Sequence, residues 1–338
     1  GAMTLLKRAL PLALLAVAAC DGSSRLAMGE VNSIIVVAED SLWSQVSDTV
    51  LTTLQPRIFA VRDEPTFQLT HTVPGSEHWG DLQRFRQILA IGRPDDPWVR
   101  PALEAADTMV TPPALVEVNR VWARNQRVTA LVVAEDGSVE WLRGMADSLA
   151  SLLDRRYRTW AQNRMYVSGH DTALVDTLRR EGGFTLDMPV VYRWRQLNDS
   201  TFVFLNDNPD ASQLVRWLTV TWRTELASEP SAESVLAWRD SIASSLYDWG
   251  QRTERDRLRV DTLAAPGAGA LEVRGVWSGL DEFPQAGPFI ARAVDCPGLD
   301  RRYLLDAWLY APARDKYQYM IQLETLLDSF RCASGSGT

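Results

Sequence analysis

Histidine and cysteine are scarce, with three of each in 338 residues. His71, His78 and His170 stand at no metal-binding spacing from one another, from a cysteine or from a carboxylate. Metal centres need such clustering, so neither a metal nor another cofactor is expected. The glycine-framed serine of common hydrolases, Gly-x-Ser-x-Gly, does not occur. A phosphate loop is also missing, and Gly267-Ala268-Gly269 lacks the third glycine and following helix of a dinucleotide fingerprint. Beyond the N-terminus, apolar runs are short and carry Arg or Asp, well below the ~20 residues that cross a bilayer. Clustered lysine is missing too: basic side chains are almost all arginine, the net charge is −8 and the pI is near 5.1. No nucleic-acid partner is expected from that balance. Carboxylates are plentiful, as at Asp95-Asp96 and Asp281-Glu282. Neighbouring acids of this kind usually form solvated faces, and an acid pair for sugar hydrolysis is recognised only by its geometry. No catalytic residue is assigned, and a non-enzymatic role is the leading expectation.

What the chain does have begins at its N-terminus. Lys7 and Arg8 precede an apolar stretch over 9–19 that is interrupted by Pro11. At ~1.5 Å per helical residue this stretch is too short to span. A basic start, a short apolar centre and small residues before a cut make 1–19 a secretory signal, with Gly1 and Ala2 a cloning scar before Met3. Val17-Ala18-Ala19-Cys20 resembles the lipobox of bacterial lipoproteins. That resemblance implies cleavage before Cys20 and a lipid on its sulfur. The alternative is an ordinary signal cut near Ala19, with Cys20 a bystander. Each buried methylene of an acyl chain contributes ~0.8 kcal/mol, so several chains anchor a protein without a protein span. Residues 20–30 then read as a lipidated tether, polar at Asp21-Gly22-Ser23-Ser24-Arg25. The expected place is the bacterial cell envelope, facing the periplasm, with inner or outer membrane left open.

With Cys20 given to lipid, Cys296 and Cys332 remain in an oxidising compartment. Residues 289–295 read as a strand, 296–300 as a turn, 302–310 as a returning strand and 315–331 as a helix. A helix folding back along the second strand ends beside the turn, so a Cys296–Cys332 disulfide is expected.

The length exceeds a typical single core, and two domains are expected. The first, 31–167, alternates strands and helices: strands at 34–38, 66–72, 87–92, 116–122 and 128–134, and helices from Asp40 to Leu54, at 82–86 and at 138–166. A connector covers 168–181. The second domain, 182–332, carries strands at 184–188, 192–197, 201–206, 214–223, 271–277, 289–295 and 302–310. Its helices are 232–249 and 315–331, 263–270 reads as a loop, and 333–338 is a disordered tail. Ser231 caps the first of these helices without a full capping box, since Ser234 stands where an acid or amide would reach back. The fold class is α+β, the second domain a largely antiparallel sheet with helices on its faces. Trp217, Trp222, Trp277 and Trp308 fall on strands and read mainly as core. Arg274 reads as the partner of a buried carboxylate.

Several motifs together carry a resemblance. They are Asn119-Arg120-Val121-Trp122-Ala123-Arg124-Asn125-Gln126, Gly182-Gly183-Phe184 with Pro189, Val273-Arg274-Gly275-Val276-Trp277, Gly287-Pro288-Phe289, and Leu309-Tyr310-Ala311-Pro312 with Lys316. They resemble an uncharacterised family of bacterial envelope lipoproteins, a domain of unknown function. Where that family tends to have Met-Gly-Gly-Pro-Phe, this chain has Gln285-Ala286-Gly287-Pro288-Phe289. The element order of the second domain is similar to the PsbP-like sandwich, a fold of binding and assembly factors. The family resemblance implies no activity; the anchor, the sandwich-like element order and the lack of a reactive constellation together make a lipid-anchored binding or assembly factor the leading expectation, with an envelope protein as partner and the oligomeric state open. A groove between the domains, drawing on Asn125, Gln126, Arg274, Trp277 and Tyr310, is the expected site. Two rival readings stand beside it: an enzyme that processes envelope polymers through two carboxylates, and a purely structural lipoprotein.

Overall fold

A computed structural model describes residues 25–224, 228–265, 268–281 and 285–333. The signal segment, Cys20 with the start of the tether, and the tail from 334 lie outside the described residues. The chain divides into two compact units. One runs up to Val46 and again over Leu69–Trp141; the other comprises Ser47–Gln68 and the chain from Leu142 onward.

The first unit is built on a five-stranded sheet. Its strands are β1 (Ser33–Val37), β2 (Gln68–Thr72), β3 (Gln87–Gly92), β4 (Ala114–Asn119) and β5 (Arg127–Val132), in the order β2-β1-β3-β5-β4. β1, β3 and β5 are parallel, with Ile35 opposite Ile88 and Leu89 opposite Thr129, and β4 runs antiparallel to β5. Continuous apolar runs such as Ile34-Ile35-Val36-Val37 suit parallel strands covered on both faces. Helix α1 (Asp40–Leu54) follows β1, and the short helix α2 (Arg100–Ala106) packs Val99 and Ala102 against Ile88, Val128 and Val132. The strand expected over 116–122 stops at Asn119. Arg120 and Asn125 have φ of 60° and 62°, so the chain turns there. The short helix expected at 82–86 lies earlier, at Trp79–Leu82.

The second unit is a seven-stranded antiparallel sheet with helices on both faces. The strands are β6 (Arg193–Asn198), β7 (Thr201–Asn206), β8 (Val215–Thr224), β9 (Gln251–Ala265), β10 (Ala268–Gly279), β11 (Ala286–Cys296) and β12 (Arg301–Tyr310). Their order is β9-β10-β11-β12-β8-β7-β6. The helices are α3 (Leu142–Met165), α4 (Ala232–Ser245) and α5 (Tyr317–Asp328). Alternate side chains along the central strands separate two cores. Trp217, Val273, Trp277, Leu304 and Trp308 pack against Val235, Leu236, Trp238 and Ile242 of α4. Leu218, Val220, Ile290, Leu305 and Leu309 pack against Tyr319, Met320, Leu323 and Leu327 of α5. Fully burying one such side chain is worth ~1.5–3 kcal/mol, which makes these two cores the main source of order here.

The motifs that carried the resemblance have a packing role. In the β10–β11 ladder Gly275 lies opposite Phe289 and Gly287 opposite Trp277. A Cβ on Gly275 would sit 2.5 Å from the Phe289 ring, and one on Gly287 would sit 1.8 Å from the Leu309 carbonyl oxygen. Each glycine thus makes room for the large ring across from it.

Three further expectations need correction. Of the loop expected over 263–270, residues 263–265 and 268–270 are strand, with 266 and 267 outside the described residues: Leu263 and Ala264 pair with Ala270 and Gly269, and the chain from Gln251 forms the edge strand β9. Its charged run, Arg252 to Arg259, hides it from a search for apolar runs, yet charge is usual on edge strands. Of 184–188, only Phe184–Thr185 pairs, and it pairs with Arg331–Cys332 outside the large sheet. Ser231 and Ser234 do form a capping box: the Ser231 hydroxyl oxygen accepts from Ser234 N at 3.1 Å and the Ser234 hydroxyl oxygen accepts from Ser231 N at 3.0 Å. A serine hydroxyl reaches back as a glutamate would. The Cys296–Cys332 disulfide is present, with Cα atoms 5.7 Å apart. Among the described residues no helix is long and apolar enough to cross a membrane.

Candidate functional site

On the α4 face of the second unit, register brings two large rings together. Trp217 of β8 lies opposite Trp308 of β12, and their rings stack with centroids 5.5 Å apart. The segment after α4 adds two more. Tyr247 stands 5.6 Å from Trp217, and Trp249 stands 5.9 Å from Trp308. The connection after β7 closes the far side with Asp207 and Ala211. The result is a cavity of about 180 Å³, lined chiefly by Trp217, Tyr247, Trp249 and Trp308, with Asp207 and Asp248 also in its wall. Asp207 is held by Arg193 at 2.7 Å. Asp248 is exposed and makes no ion pair among the described residues.

Beneath the aromatics runs a buried polar chain. Trp217 Nε1 donates to Thr219 Oγ1 at 2.8 Å, and the Thr219 and Tyr247 hydroxyls lie 3.1 Å apart. The Tyr247 hydroxyl donates to Asp306 Oδ2 at 2.5 Å, and Arg239 Nε donates to Asp306 Oδ1 at 3.0 Å. The other Arg239 nitrogens reach Thr253 Oγ1 at 3.1 Å and Gln251 Oε1 at 2.7 Å, and the Arg239 guanidinium carbon sits 3.9 Å from the Phe289 ring centroid. Arg239 and Asp306 are both 0% exposed. Burial lifts the Asp306 carboxyl above the usual carboxylate range, against the downward pull of Arg239 and of the Tyr247 hydroxyl. Burial, with the charge of Asp306, raises the Tyr247 hydroxyl well above its ordinary value. A buried ion pair is weak evidence of net stability. Its effect here is positional: it fixes Tyr247 and, through Thr219, the indole of Trp217. Asp306 is closed to solvent and already bonded, so it is not available to a substrate as a base. The chain preorganises an aromatic wall.

The residues singled out in the sequence are distributed as follows. Trp277 is fully buried, donates from Nε1 to the Leu309 carbonyl at 3.2 Å and lies edge-on to Trp308 at 5.4 Å. Half-buried Tyr310 packs on Trp249 at 5.3 Å. These two back the aromatic wall. Arg274 lies on the opposite face of β10, bonded to Glu272 at 2.7 Å and Glu324 at 2.6 Å, the structural pairing its strand position suggested. Burial pulls the Glu324 carboxyl up, but Arg274 and Arg158 outweigh it and hold it below the usual range. Gln126 is buried; its side chain accepts from Trp122 N at 2.9 Å and donates to the carbonyls of Gln83 and Phe85. Asn125 is exposed in the left-handed turn of the first unit. Within the second unit Arg274 and Trp277 face opposite sides of the sheet, so these two do not line one groove.

Tyr247 and Trp249 were missed because 232–249 reads as one helix. The helix ends at Ser245, with Leu246 as its cap, which frees both rings. The adjacent Tyr247-Asp248-Trp249-Gly250, ending in a glycine, was the available signal.

Comparison with known proteins adds family matches. Residues 27–166 match the model of a domain of unknown function, DUF8532, and residues 171–329 match another, DUF4837. No curated protein matches the chain. Among solved structures it is similar to a point mutant of the protein Mog1 at 12% identity, over 46% of this chain and 93% of that one, with a TM-score of 0.32. It is also similar to the Ran-binding protein Mog1p of Saccharomyces cerevisiae at 11% identity, over 45% and 91%, with a TM-score of 0.32. A third is LpqN of Mycobacterium tuberculosis, described as involved in cell envelope biogenesis, at 18% identity over 44% and 82%, with a TM-score of 0.27.

Proposed function

We propose that this chain is a lipid-anchored, non-enzymatic binding factor of the bacterial envelope whose aromatic cavity is a socket for one basic side chain of a protein partner. The observation that carries this reading is the pairing of four aromatic walls with acidic residues: Trp217, Tyr247, Trp249 and Trp308 beside the unpaired Asp248. At about 180 Å³ the cavity is smaller than the ~300–1,000 Å³ of whole-ligand pockets, and suits a single long side chain. A guanidinium or ammonium over an aromatic face gains ~0.5–2 kcal/mol, and a nearby carboxylate adds charge complementarity. Walls held by the Tyr247–Asp306–Arg239 chain lose little freedom on binding. The anchor rests on Val17-Ala18-Ala19-Cys20.

The test is a calorimetric titration with the amides of arginine, lysine and leucine. Saturable binding of the two cations, weakened at least tenfold in Asp248→Asn and in Trp249→Ala, is expected. Equal binding of leucine amide, or no binding of either cation, overturns the socket. If the site instead cleaves an envelope polymer, Asp248→Asn abolishes release of soluble fragments from purified envelope.

A further inference from the structure

On the α5 face of the second unit a different concavity, of about 440 Å³, has the opposite character. Its wall includes Arg164 from the last turn of α3, Arg216 from β8, Arg314 from the β12–α5 connection, Tyr192 and Gln318, and no carboxylate. That is unusual in a chain whose net charge is −8. Several arginines of this unit that are withdrawn from solvent are paired, as Arg158, Arg274, Arg292 and Arg302 are. Among the described residues Arg164, Arg216 and Arg314 form no ion pair.

Their contacts are with neutral groups. Arg216 donates to Asn206 Oδ1 at 2.9 Å and to the Asn208 carbonyl at 2.8 Å, and its Nε is buried without a partner. Arg314 reaches Gln213 Oε1 at 3.4 Å, and Arg164 lies 5.9 Å from the Trp160 ring centroid. Burial, and to a smaller degree the charge of Arg314, lowers the Arg216 guanidinium, although Tyr192, Tyr319 and Asp207 pull the other way. Asp207, the carboxylate in this field, is already engaged by Arg193. Tyr192 is 5% exposed, and its hydroxyl is buried with no hydrogen-bond partner among the described residues. Burial pushes that hydroxyl up to about 12, so it keeps its proton at neutral pH and remains a donor.

Three like charges gathered with no carboxylate paired to them among the described residues, beside an unused buried hydroxyl, define a site suited to an anion. Guanidinium groups match phosphate oxygens in geometry and charge, and several of them around one concavity suit a group carrying more than one negative charge. We propose that this concavity binds the phosphate of an anionic ligand, either a free phosphorylated compound or a lipid headgroup. The site is independent of the aromatic socket, which occupies the other face of the sheet. The connection after β7 contributes to both, Asp207 and Ala211 to the socket and Asn208 and Pro209 here.

The probes are inorganic pyrophosphate, titrated calorimetrically, and phosphatidylglycerol vesicles, with phosphatidylcholine vesicles as reference, each added to the non-acylated chain. The test variant is Arg164→Gln with Arg314→Gln, two positions outside the cores, checked by circular dichroism; Tyr192→Phe is a second. Saturable pyrophosphate binding that falls at least tenfold in the double variant and severalfold in Tyr192→Phe is expected. Binding to phosphatidylglycerol vesicles with the same sensitivity identifies the headgroup as the source; pyrophosphate binding alone identifies a free compound. No binding of either probe, or binding unchanged in the double variant, overturns the proposal. Arginine-amide binding at the socket is read separately, so the two failures are distinguishable.

Discussion

Arg239→Met isolates the buried chain beneath the socket. The substitution keeps much of the side-chain volume against Phe289 but leaves Asp306, 0% exposed, with Tyr247 as its only remaining side-chain donor among the described residues. It also leaves Gln251 Oε1 and Thr253 Oγ1 without the guanidinium. Removing one partner of a buried ion pair costs about 3–5 kcal/mol, since an uncompensated charge stays behind. In domains of about 150–250 residues each kcal/mol moves Tm by roughly 2–4 °C, so a fall of about 6–20 °C is expected. The loss also depends on pH. Burial already raises the Asp306 carboxyl, and Arg239 pulls it down. Without Arg239 the folded state holds its proton to higher pH than the unfolded chain does. A group raised in this way lowers stability as pH rises through the window between its two values. Arg239→Met is therefore most destabilised near pH 8 and recovers part of the loss as the pH falls toward about 5. Urea melts at several pH values measure both effects. A loss below about 1 kcal/mol at pH 8, or a loss that does not change with pH, refutes the reasoning.

Three further outcomes follow from the same structure. Glu324 is held below the usual glutamate range, so it contributes stability above its ordinary value of 4.5 that fades as the pH falls through its lowered one; Glu324→Gln flattens this part of the acid limb in melts of the variant. Cys296→Ala with Cys332→Ala opens a loop of 36 residues, and chain entropy sets the loss at about 4 kcal/mol by denaturant midpoint, with no change on adding reductant to the variant. Gly287→Ala forces a Cβ to within 1.8 Å of the Leu309 carbonyl oxygen and 2.8 Å of Trp277 Nε1, and a loss of about 1–3 kcal/mol or more is expected, with an altered near-ultraviolet signal from Trp277.

Much of the fold was legible because its strongest signals are local. The run Gln87–Gly92 and the strand Thr201–Asn206 carry continuous apolar residues bounded by polar ones, and both match the structure end to end. The disulfide was legible for a different reason: hairpin and returning helix leave Cys332 one place to go. What escaped depends on distance or context. β9 is polar because it lies at an edge. Helix α3 was expected at the end of the first domain, 31–167, yet it groups with the second unit, where Arg158 bonds to Glu324, 166 residues away. The glycines of Arg274-Gly275-x-Trp277 and Gly287-Pro288-Phe289 read as a signature, and only the cross-strand register reveals that each accommodates a ring. Of the residues expected at the site, Trp277 and Tyr310 lie against the aromatic cluster, in ring contact with Trp308 and Trp249. The rest of the wall was hidden, since a helix read through Tyr247 and Trp249 leaves no cavity. The Arg216 concavity needs five chain segments and has no sequence pattern.

The most direct measurement of the socket is a photo-crosslinking side chain placed at Ala211, in its wall, in the chain's own host, with the adduct mapped by mass spectrometry. One envelope protein joined beside an arginine or lysine, and lost in Trp249→Ala, is the predicted result. Adducts that persist in Trp249→Ala, or none above background from intact membranes, would contradict it.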